Sequence, residues 1–419
     1  MDGDYEYREA NSSTFDRYVR YAFRPTAGPP DDESTDGEAT DEGATDDETD
    51  GDGPEVERFE RGLYRPDHGD PVAVAGYHDF RARIRGAYHR LGGVTLVATP
   101  PEHRRQGYVR ELLGRMLEEF RTERIHHSAL WPFERSFYRR LGWETGSRYL
   151  RVEAPPRQLR SAGADRDGEF RPTAAEEWER LLPVHGAQGA GRGLHLDRTE
   201  AWWRRRIFEG WGDDPYVYRW EDEDGGIRAY LTYVIEDGDG DDGRVLSVRE
   251  SSWADPLARR QLWRFLGDHD SQVERVKFVA PFDSELPLLE AVDDPSSVTV
   301  EIEAGHMIRL ADVATGLSAL AYPDGASDEL GIAVRDPLVD ANDRTFALSV
   351  EDGNADCVPA EGEIDPDVSL GVGRLSQLAV GYRDASTMAA AGHLDARPEA
   401  VERLDSLFPA GPVWLREGF

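Results

Sequence analysis

The most regular hydrophobic pattern in the chain follows the stretch PPEHRRQG at residues 100–107. Apolar side chains recur there at three- and four-residue spacing, at Val109, Leu112, Leu113, Met116, Leu117 and Phe120. Such spacing places the side chains on one face of a helix, so the pattern predicts an amphipathic helix that begins just after the glycine.

Segments of strand character lie on both sides of this helix. RGLYRP, PVAVAGYHDFRARI and GGVTLVAT come before it, separated by Gly, Pro and Asp turn signals. HHSALWPF after it is typical of a strand, ERSFYRRLG of a short helix ending at Gly142, and WETGSRYLRVEA of another strand. The first unit is therefore predicted to run strands, helix, strand, helix, strand.

A second unit repeats this order of elements after a segment rich in Pro, Gly and charge, which is predicted to be a linker at 154–168. It contains the helical patterns EEWERLLPVHGAQ, DRTEAWWRRRIFEGW and DPLARRQLWRFLGDH, and the strand patterns PYVYRWED, IRAYLTYVIED, GRVLSVRES and VERVKFVAP. From HMIRLADV onward a smaller α+β unit is predicted, which ends close to VWLREGF.

Charge and composition narrow the function classes. The formal net charge is -34, and all but one of the 49 basic residues are arginine. Residues 30–57 are acidic with almost nothing apolar, which predicts a flexible insertion. The acidic surface is typical of a salt-loaded cytoplasm, and it disfavours nucleic acid and anionic membranes as partners.

Other classes are disfavoured by what the sequence does not contain. The single cysteine, Cys357, excludes an internal disulfide and a cysteine-rich zinc site, and no metal site is predicted. The N-terminus has no signal-peptide pattern, and no apolar run approaches the ~18 residues of a membrane span. A cytoplasmic protein is expected.

Two arginines and a glycine stand at the turn before the amphipathic helix. The first N–H groups of a helix have no intrahelical partner and lie at the positive end of its dipole. A glycine there lets an anion approach the backbone without meeting a Cβ. Arg104, Arg105 and Gly107 therefore fit a pyrophosphate-binding turn, although solvated arginines paired with surface carboxylates would give the same pattern.

The stretch VTLVATPPEHRRQGYVRELL, followed by SFYRRLGWE, resembles the acetyl-CoA site of GCN5-related N-acetyltransferases. Their loop is Arg or Gln, two residues, Gly, one residue, then Gly or Ala, which here is Arg104 to Val109. Val109 departs from the small final residue. That departure, the HRRQG form, the second similar unit and the small final unit together resemble the Eis-like branch, and the resemblance covers essentially the whole chain.

In that branch a degenerate second acetyltransferase domain and a sterol-carrier-protein-like domain follow the catalytic domain. The resemblance thus implies a mixed α+β and α/β fold of two tandem GNAT-type domains and a C-terminal α+β domain. The predicted bounds are 1–153 for the catalytic domain, 169–303 for the degenerate domain and 304–419 for the sterol-carrier-protein-like domain.

The resemblance also implies roles for single residues. Backbone groups of Val97 and Thr99 would hold the pantetheine arm of acetyl-CoA, while Arg104, Arg105, Gly107 and Val109 would hold its phosphates. Tyr138 matches the family tyrosine that protonates the departing thiolate, with an aromatic packing role as its alternative. The terminal carboxylate of Phe419 would act on the acceptor amine, although Gly418 stands where the family has an acidic residue; a frayed terminus is the alternative.

The implied function is acetyl-CoA-dependent N-acetylation of a primary amine in a ternary complex, without a metal. The acceptor would be a small molecule or peptide of aminoglycoside-, polyamine- or lysine-like type. Because members of the branch assemble as hexamers, a homo-oligomer is implied, with a hexamer as the first candidate. The alternative is a non-catalytic lipid- or ligand-binding protein on a degenerate acetyltransferase scaffold.

Overall fold

The computed structural model of the protein describes residues 5–27, 55–66, 68–210, 214–238, 243–282, 287–362 and 365–419. Residues 30–54 of the predicted acidic insertion lie outside the described residues. The end of that predicted segment is described, and Val56 there is buried against Ala201 and Trp202.

The elements of the first unit follow the predicted order. Its strands are β1 (Glu6–Glu9), β2 (Phe59–Tyr64), β3 (Pro71–Ile84), β4 (Ala87–Ala98), β5 (His127–Leu130), β6 (Glu144–Thr145) and β7 (Arg148–Ala154). Its α-helices are α1 (Ser12–Phe23), α2 (Tyr108–Thr122) and α3 (Arg135–Arg139). Short 3-10 helices lie at Pro25–Ala27 and Pro101–His103.

The middle of the chain alternates helices and strands. Its helices are α4 (Pro156–Ala162), α5 (Leu182–Gly189), α6 (Glu200–Trp202), α7 (Pro256–Gly267) and α8 (Leu288–Ala291), with 3-10 helices at Ala175–Leu181 and Pro295–Ser297 and a π-helical turn at Trp203–Phe208. Its strands are β8 (Glu169–Pro172), β9 (His195–Leu196), β10 (Tyr216–Glu221), β11 (Ile227–Asp237), β12 (Arg244–Trp253), β13 (Arg275–Pro281) and β14 (Thr299–Ala304).

The last part of the chain is a smaller unit followed by a tail. Its strands are β15 (Met307–Leu310), β16 (Asp328–Arg335), β17 (Thr345–Glu351), β18 (Asn354–Pro359), β19 (Val368–Gly371) and β20 (Leu394–Ala396). Its helices are α9 (Val313–Ser318), α10 (Val372–Ala379), α11 (Ala385–Ala390) and α12 (Pro398–Leu407).

Three sheets with flanking helices confirm the predicted mixed fold. The first sheet has the order β1-β2-β3-β4-β5-β15-β6, with β9 paired to β3. The second has the order β14-β7-β13-β12-β11-β10-β8, and the third β18-β17-β16-β19-β20. The predicted amphipathic helix is confirmed as α2, whose Leu112, Leu113, Met116, Leu117 and Phe120 are all buried.

Strands cross between the units at one place. The segment WETGSRYLRVEA, predicted as one strand, forms β6 in the first sheet and β7 in the second. In return β15 crosses from the C-terminal side into the first sheet, between β5 and β6. Gly146 lies at the division, and its N–H donates to the carbonyl of His306 at 2.8 Å. Two sheets therefore share one junction.

Residues 154–168, predicted to be a linker, contain the packed helix α4. Its Leu159 and Ala162 are buried in the core of the second sheet. The side chain of Gln261 on α7 donates to the carbonyl of Asp165 at 2.7 Å, which ties the end of this segment to the same unit. The predicted domain bounds themselves stay a prediction.

The C-terminal unit shares a core with the first sheet. Ile84 and Leu91 of the first sheet belong to one buried cluster with residues of the third sheet and its helices. A fully buried ion pair joins Arg309 on β15 to Asp336 at 2.6 Å. This packing directs the tail after α12 back toward the first sheet, where the candidate site lies.

Candidate active site

A cavity of about 510 Å³ lies where the first sheet, the second sheet and the C-terminal tail meet. Val94 to Val97 of β4 form one wall, and Tyr149 and Val279 of the second sheet form another. Trp414 to Arg416, Gly418 and Phe419 of the tail also line it. The site is thus built from all three parts of the chain.

The end of β4 offers an unpaired strand edge to this cavity. β4 pairs with the parallel strand β5 only from Leu91 to Val94, although β4 continues to Ala98. On its other side the register with β3 shifts between Val74 and Gly76, and Leu96 has a positive φ of 50°. Backbone groups at a splayed, bulged strand end are free to pair with a ligand of amide character.

Val97 and Thr99 both lie at this strand end. Val97 lines the cavity, and Thr99 follows the last residue of β4. The carbonyl of Thr99 accepts a hydrogen bond from Nε of Arg104 at 3.2 Å, so the arginine turn is held to the strand. The structure therefore brings together the two parts predicted to hold the pantetheine arm and the phosphates.

The arginine-glycine turn ends in the first turn of α2. Gly107 is the N-cap of α2 with φ 85°, a conformation that glycine adopts without the steric cost other residues meet. Arg104, Arg105 and Gly107 are exposed, while Val109 is half-buried against the core of the first sheet. The turn therefore presents two cations and a helix N-terminus to solvent, which is the physical requirement of a phosphate site.

Tyr138 lies on the short helix α3 and lines the cavity. Its side chain is buried, in edge contact with Phe133, Phe137 and Trp143 at 5.5, 5.1 and 6.3 Å between ring centroids. Burial raises the pKa of the phenol, so the hydroxyl stays protonated at neutral pH. A protonated hydroxyl that reaches a cavity can donate a proton there.

Phe419 places the end of the chain in the same cavity. Its ring stacks on His306 at 5.2 Å and packs against Phe80 at 5.0 Å and His78 at 6.5 Å between centroids. Gly93 makes room for these rings, because a Cβ there would lie 2.4 Å from the ring of Phe80 and 3.0 Å from that of Phe419. The terminal ring is therefore packed against Phe80 and His306.

His78 is a cavity residue that the sequence analysis does not single out. Its Nδ1 is 2.7 Å from the carbonyl of Glu57, which can only accept, so Nδ1 carries the proton and Nε2 keeps its lone pair. Burial and the nearby cations Arg206 and Arg58 lower the pKa of His78 to about 4. No spacing or motif in GYHDF distinguishes it from an ordinary strand residue.

The cavity differs in charge from the acidic surface. Arg58, Arg206 and Arg416 line it, and none of its described lining residues carries a side-chain carboxylate. Arg58 pairs with Glu60 at 2.7 Å, and Arg416 pairs with Glu250 at 3.1 Å. Phe419 therefore belongs to a lining that is mainly aromatic and carries three guanidinium groups.

The second unit has a different arrangement at the place that corresponds to the phosphate turn. Asp255 is the N-cap of α7, where its carboxylate accepts from the N–H of Ala258 at 2.9 Å and pairs with Arg228 at 2.5 Å. A carboxylate already occupies this helix N-terminus and repels a phosphate. The prediction that acetyl-CoA does not bind there is consistent with this geometry.

Within the described ranges, no group of three or more His, Cys, Asp or Glu side chains could hold a metal ion. Cys357 is buried in the C-terminal unit, away from the cavity. Among the same residues, none of the helices is both long and apolar enough to cross a bilayer.

Comparison with known protein families matches three successive parts of the chain. Residues 6–146 and 194–310 match two models described as acetyltransferase (GNAT) domains. Residues 313–416 match a model described as a sterol carrier protein domain. These matches have the order that the sequence pattern predicts.

Individual proteins show the same likeness. An N-acetyltransferase of Streptomyces avermitilis is 25% identical over 362 residues, which cover 83% of this chain and 87% of that protein. The N-acetyltransferase Eis of Mycobacterium tuberculosis is 28% identical over 366 residues, which cover 80% and 83%. The crystal structure of Eis1 from Mycobacterium abscessus superimposes with a TM-score of 0.72 at 22% identity, covering 99% of this chain and 100% of that one.

Proposed function

This chain is an Eis-like GCN5-related N-acetyltransferase with tandem GNAT domains and a C-terminal sterol carrier protein domain, and we propose that it transfers the acetyl group of acetyl-CoA to a primary amine in a ternary complex. One observation carries the proposal. A single cavity joins the open edge of β4, the buried Tyr138 and the chain terminus at Phe419.

Acetyl-CoA would bind as a co-substrate along the first unit. Backbone groups of Val97 and Thr99 at the open edge of β4 would pair with the amides of the pantetheine arm. Arg104 and Arg105 would neutralise the pyrophosphate, and the glycine at 107 would let it approach the N-terminus of α2. Val109 would close the floor of that turn.

The neutral amine is the nucleophile, so a bound ammonium first loses one proton to water, and the transfer itself then needs two further proton movements. The amine nitrogen forms a bond to the thioester carbon, the tetrahedral intermediate collapses, and the carbon–sulfur bond breaks. Tyr138 would give its proton to the leaving thiolate. A free α-carboxylate has a pKa near ~3.5, so Phe419 would orient the ammonium and take the proton that the nitrogen sheds as the intermediate forms.

The acceptor is proposed to be an amine on a small molecule or peptide, of aminoglycoside-, polyamine- or lysine-like type. His78 lines the cavity beside Phe419, and its Nε2 lone pair would accept a hydrogen bond from an amine N–H. We further propose that the protein acts in the cytoplasm as a homo-oligomer, with a hexamer as the form to test first.

The test is release of free CoA thiol from acetyl-CoA with a panel of aminoglycosides, polyamines and lysine peptides, at low and high salt. Thiol release that requires an amine, with an acetylated amine found by mass spectrometry, is the expected result. Acetyl-CoA binding without thiol release across the panel would favour the non-catalytic alternative. Absence of acetyl-CoA binding would overturn the proposal.

A further inference from the structure

The C-terminal tail is seated on the second unit before it enters the cavity. The backbone of Gly193, ahead of β9, brackets it: its N–H donates to the carbonyl of Pro412 at 2.8 Å, and its carbonyl accepts from the N–H of Trp414 at 3.0 Å. Gly193 and Val413 form an isolated parallel bridge. These contacts hold the tail up to Trp414, five residues before the terminus.

Beyond that point the tail is held by buried charges. Arg198 of the second unit makes two bonds to the carboxylate of Glu250 on β12, at 2.7 and 2.8 Å. Nε of the same guanidinium donates to Glu417 at 2.8 Å. The side chains of Arg198, Glu250 and Glu417 are 1%, 5% and 3% exposed. We call these three residues and Arg416 the tail network.

Arg416 completes this network from the tail side. It pairs with Glu250 at 3.1 Å and donates to the carbonyl of Ser251 at 2.7 Å. The hydroxyl of Tyr230 donates to the same carboxylate of Glu250 at 2.5 Å. Two cations and two anions thus balance, and the surrounding hydrogen bonds satisfy them.

The tail network contains more buried charge than the stability of the fold requires. Replacing a buried ion network by well-packed apolar residues is often neutral or stabilising, whereas removing one member leaves an uncompensated charge. Buried, paired charges fix the relative position of the two segments that carry them. Here the segments are the second unit and the last residues of the tail, and Glu417 is two residues from Phe419.

We propose that Arg198, Glu250 and Glu417 are positioning residues that hold the carboxylate of Phe419 at the reacting centre. This inference rests on the proposed role of Phe419 in acetyl transfer. It assigns a function to the second, degenerate acetyltransferase unit, which supplies Arg198 and Glu250: the unit is the seat of the catalytic terminus.

The first test measures the seat directly, without relying on activity. Carboxypeptidase A releases a C-terminal phenylalanine only when the tail leaves its place, and release follows the population of that open state. Glu417→Gln and Glu250→Gln are expected to release Phe419 on the order of 10-fold faster than the wild-type chain. Equal release from wild type and both variants would overturn the inference.

Arg219→Met is the matched control for this test. Arg219 is also a buried arginine of the second unit, bonded to Glu177 at 3.1 Å and Glu221 at 2.8 Å, but its partners are not in the tail. Its loss is expected to lower stability without changing the release of Phe419. Faster release in this control as well would mean that general loosening of the second unit is the cause, which contradicts the inference.

The second test asks whether the network acts through the terminus. Glu417→Gln is expected to lower kcat about 10- to 100-fold. KM for acetyl-CoA should be unchanged, because the arginine-glycine turn proposed to bind it is remote from the tail network. In a chain that lacks Phe419 the same substitution should cause no further loss. If the two losses multiply, the network acts independently of the terminus and the inference fails.

The proposed acetyl transfer and the proposed role of the tail network can be overturned separately. A wild-type protein that never releases thiol would defeat the proposed acetyl transfer, while the carboxypeptidase comparison would still decide whether the network holds the tail. A wild-type protein that is active but indifferent to Glu417→Gln in both measurements would defeat the inference alone.

Discussion

At the scale of single residues, Tyr138 combines a buried ring with a hydroxyl on the cavity. Tyr138 is a buried member of the core of the first sheet and the neighbouring Phe137 is only half-buried there, so Tyr138 both packs in this core and lines the cavity. Because burial raises the pKa of the phenol, Tyr138 remains an acid over the whole neutral range. The hydroxyl of Tyr138, and not its ring, would donate the proton to the leaving thiolate.

Tyr138→Phe is therefore expected to lower kcat by about 10²- to 10³-fold and to leave KM for acetyl-CoA unchanged, because only proton donation is removed. Steady-state kinetics with a single accepted amine measures both constants. Tyr149→Phe is the matched control, since Tyr149 also lines the cavity but lies on the second sheet. Equal losses in the two variants would contradict the assignment of Tyr138 as the acid.

The limits of sequence reasoning at this scale are shown by His78. Tyr138 and Arg104 stand in local motifs whose neighbours along the chain are also their neighbours in space. His78 contacts the carbonyl of Glu57 and the ring of Phe419, and Phe419 is more than 300 residues away in sequence. Only tertiary packing brings such groups together, so no local pattern could have identified it.

At the scale of elements, β4 does the most to shape the site. β4 pairs with β5 from Leu91 to Val94, its end from Thr95 to Ala98 has no pairing with β5, and Gly93 lies beneath the rings of Phe80 and Phe419. The missing Cβ at Gly93 allows the close approach of the terminal ring, and the open end of β4 leads to Thr99, whose carbonyl holds Arg104. One strand therefore connects to both the arginine-glycine turn and the packed terminus.

Gly93→Ala is expected to displace Phe419 and lower kcat about 10-fold, because the new Cβ would lie 2.4 Å from Phe80 and 3.0 Å from the terminal ring. Overpacking should also lower the free energy of unfolding by about 1–3 kcal/mol. Kinetics and urea unfolding measure the two effects. At Gly69 a Cβ meets nothing within 4 Å, so Gly69→Ala should change neither quantity. Unchanged kcat in Gly93→Ala would contradict the packing argument.

Periodicity predicted the long amphipathic helix well and the crowded segments less well. The apolar face of α2 could be read from Leu112, Leu113 and Met116 because one helix packs on one sheet. DRTEAWWRRRIFEGW was predicted as a single helix, but the structure has α6 and a π-helical turn at Trp203–Phe208. Trp202 is buried with Val56 and Ala201, and Trp203 is buried in a separate cluster with Leu181 and Val184, so this segment packs on two sides.

At the scale of the whole molecule, the exchange of β7 and β15 joins the units. WETGSRYLRVEA has continuous strand character, so the sequence cannot show that its two halves pair in different sheets. The same junction carries His306, which packs against Phe419 and Trp131. Unit order was predictable from repeated patterns, whereas the shared cavity follows from pairings between distant segments.

Buried histidines make the stability of the whole molecule sensitive to acid. Burial lowers the pKa of His78 and His195 to about 4 and that of His306 to about 3. An unfolded histidine has a pKa of about 6.5, so below that value the unfolded state binds protons that the folded state does not. Stability is therefore complete above pH 6.5 and falls as the pH drops toward these folded pKa values.

The expected size is up to about 1.4 kcal/mol per pH unit for each histidine. Urea unfolding at pH 7.0, 6.0 and 5.5, in constant salt, measures it while the acidic side chains remain ionised. A free energy of unfolding that is flat across this range would contradict the burial of these imidazoles as neutral groups.

The end of the chain, the carboxylate of Phe419, is proposed to be part of the reacting centre. The most direct measurement compares kcat and KM for acetyl-CoA between the wild-type chain and a chain with one glycine added after Phe419. The added residue moves the terminal carboxylate and leaves the arginine-glycine turn unchanged. We expect kcat to fall about 100-fold while KM for acetyl-CoA is unchanged. An unchanged kcat, or a loss seen only in KM, would contradict it.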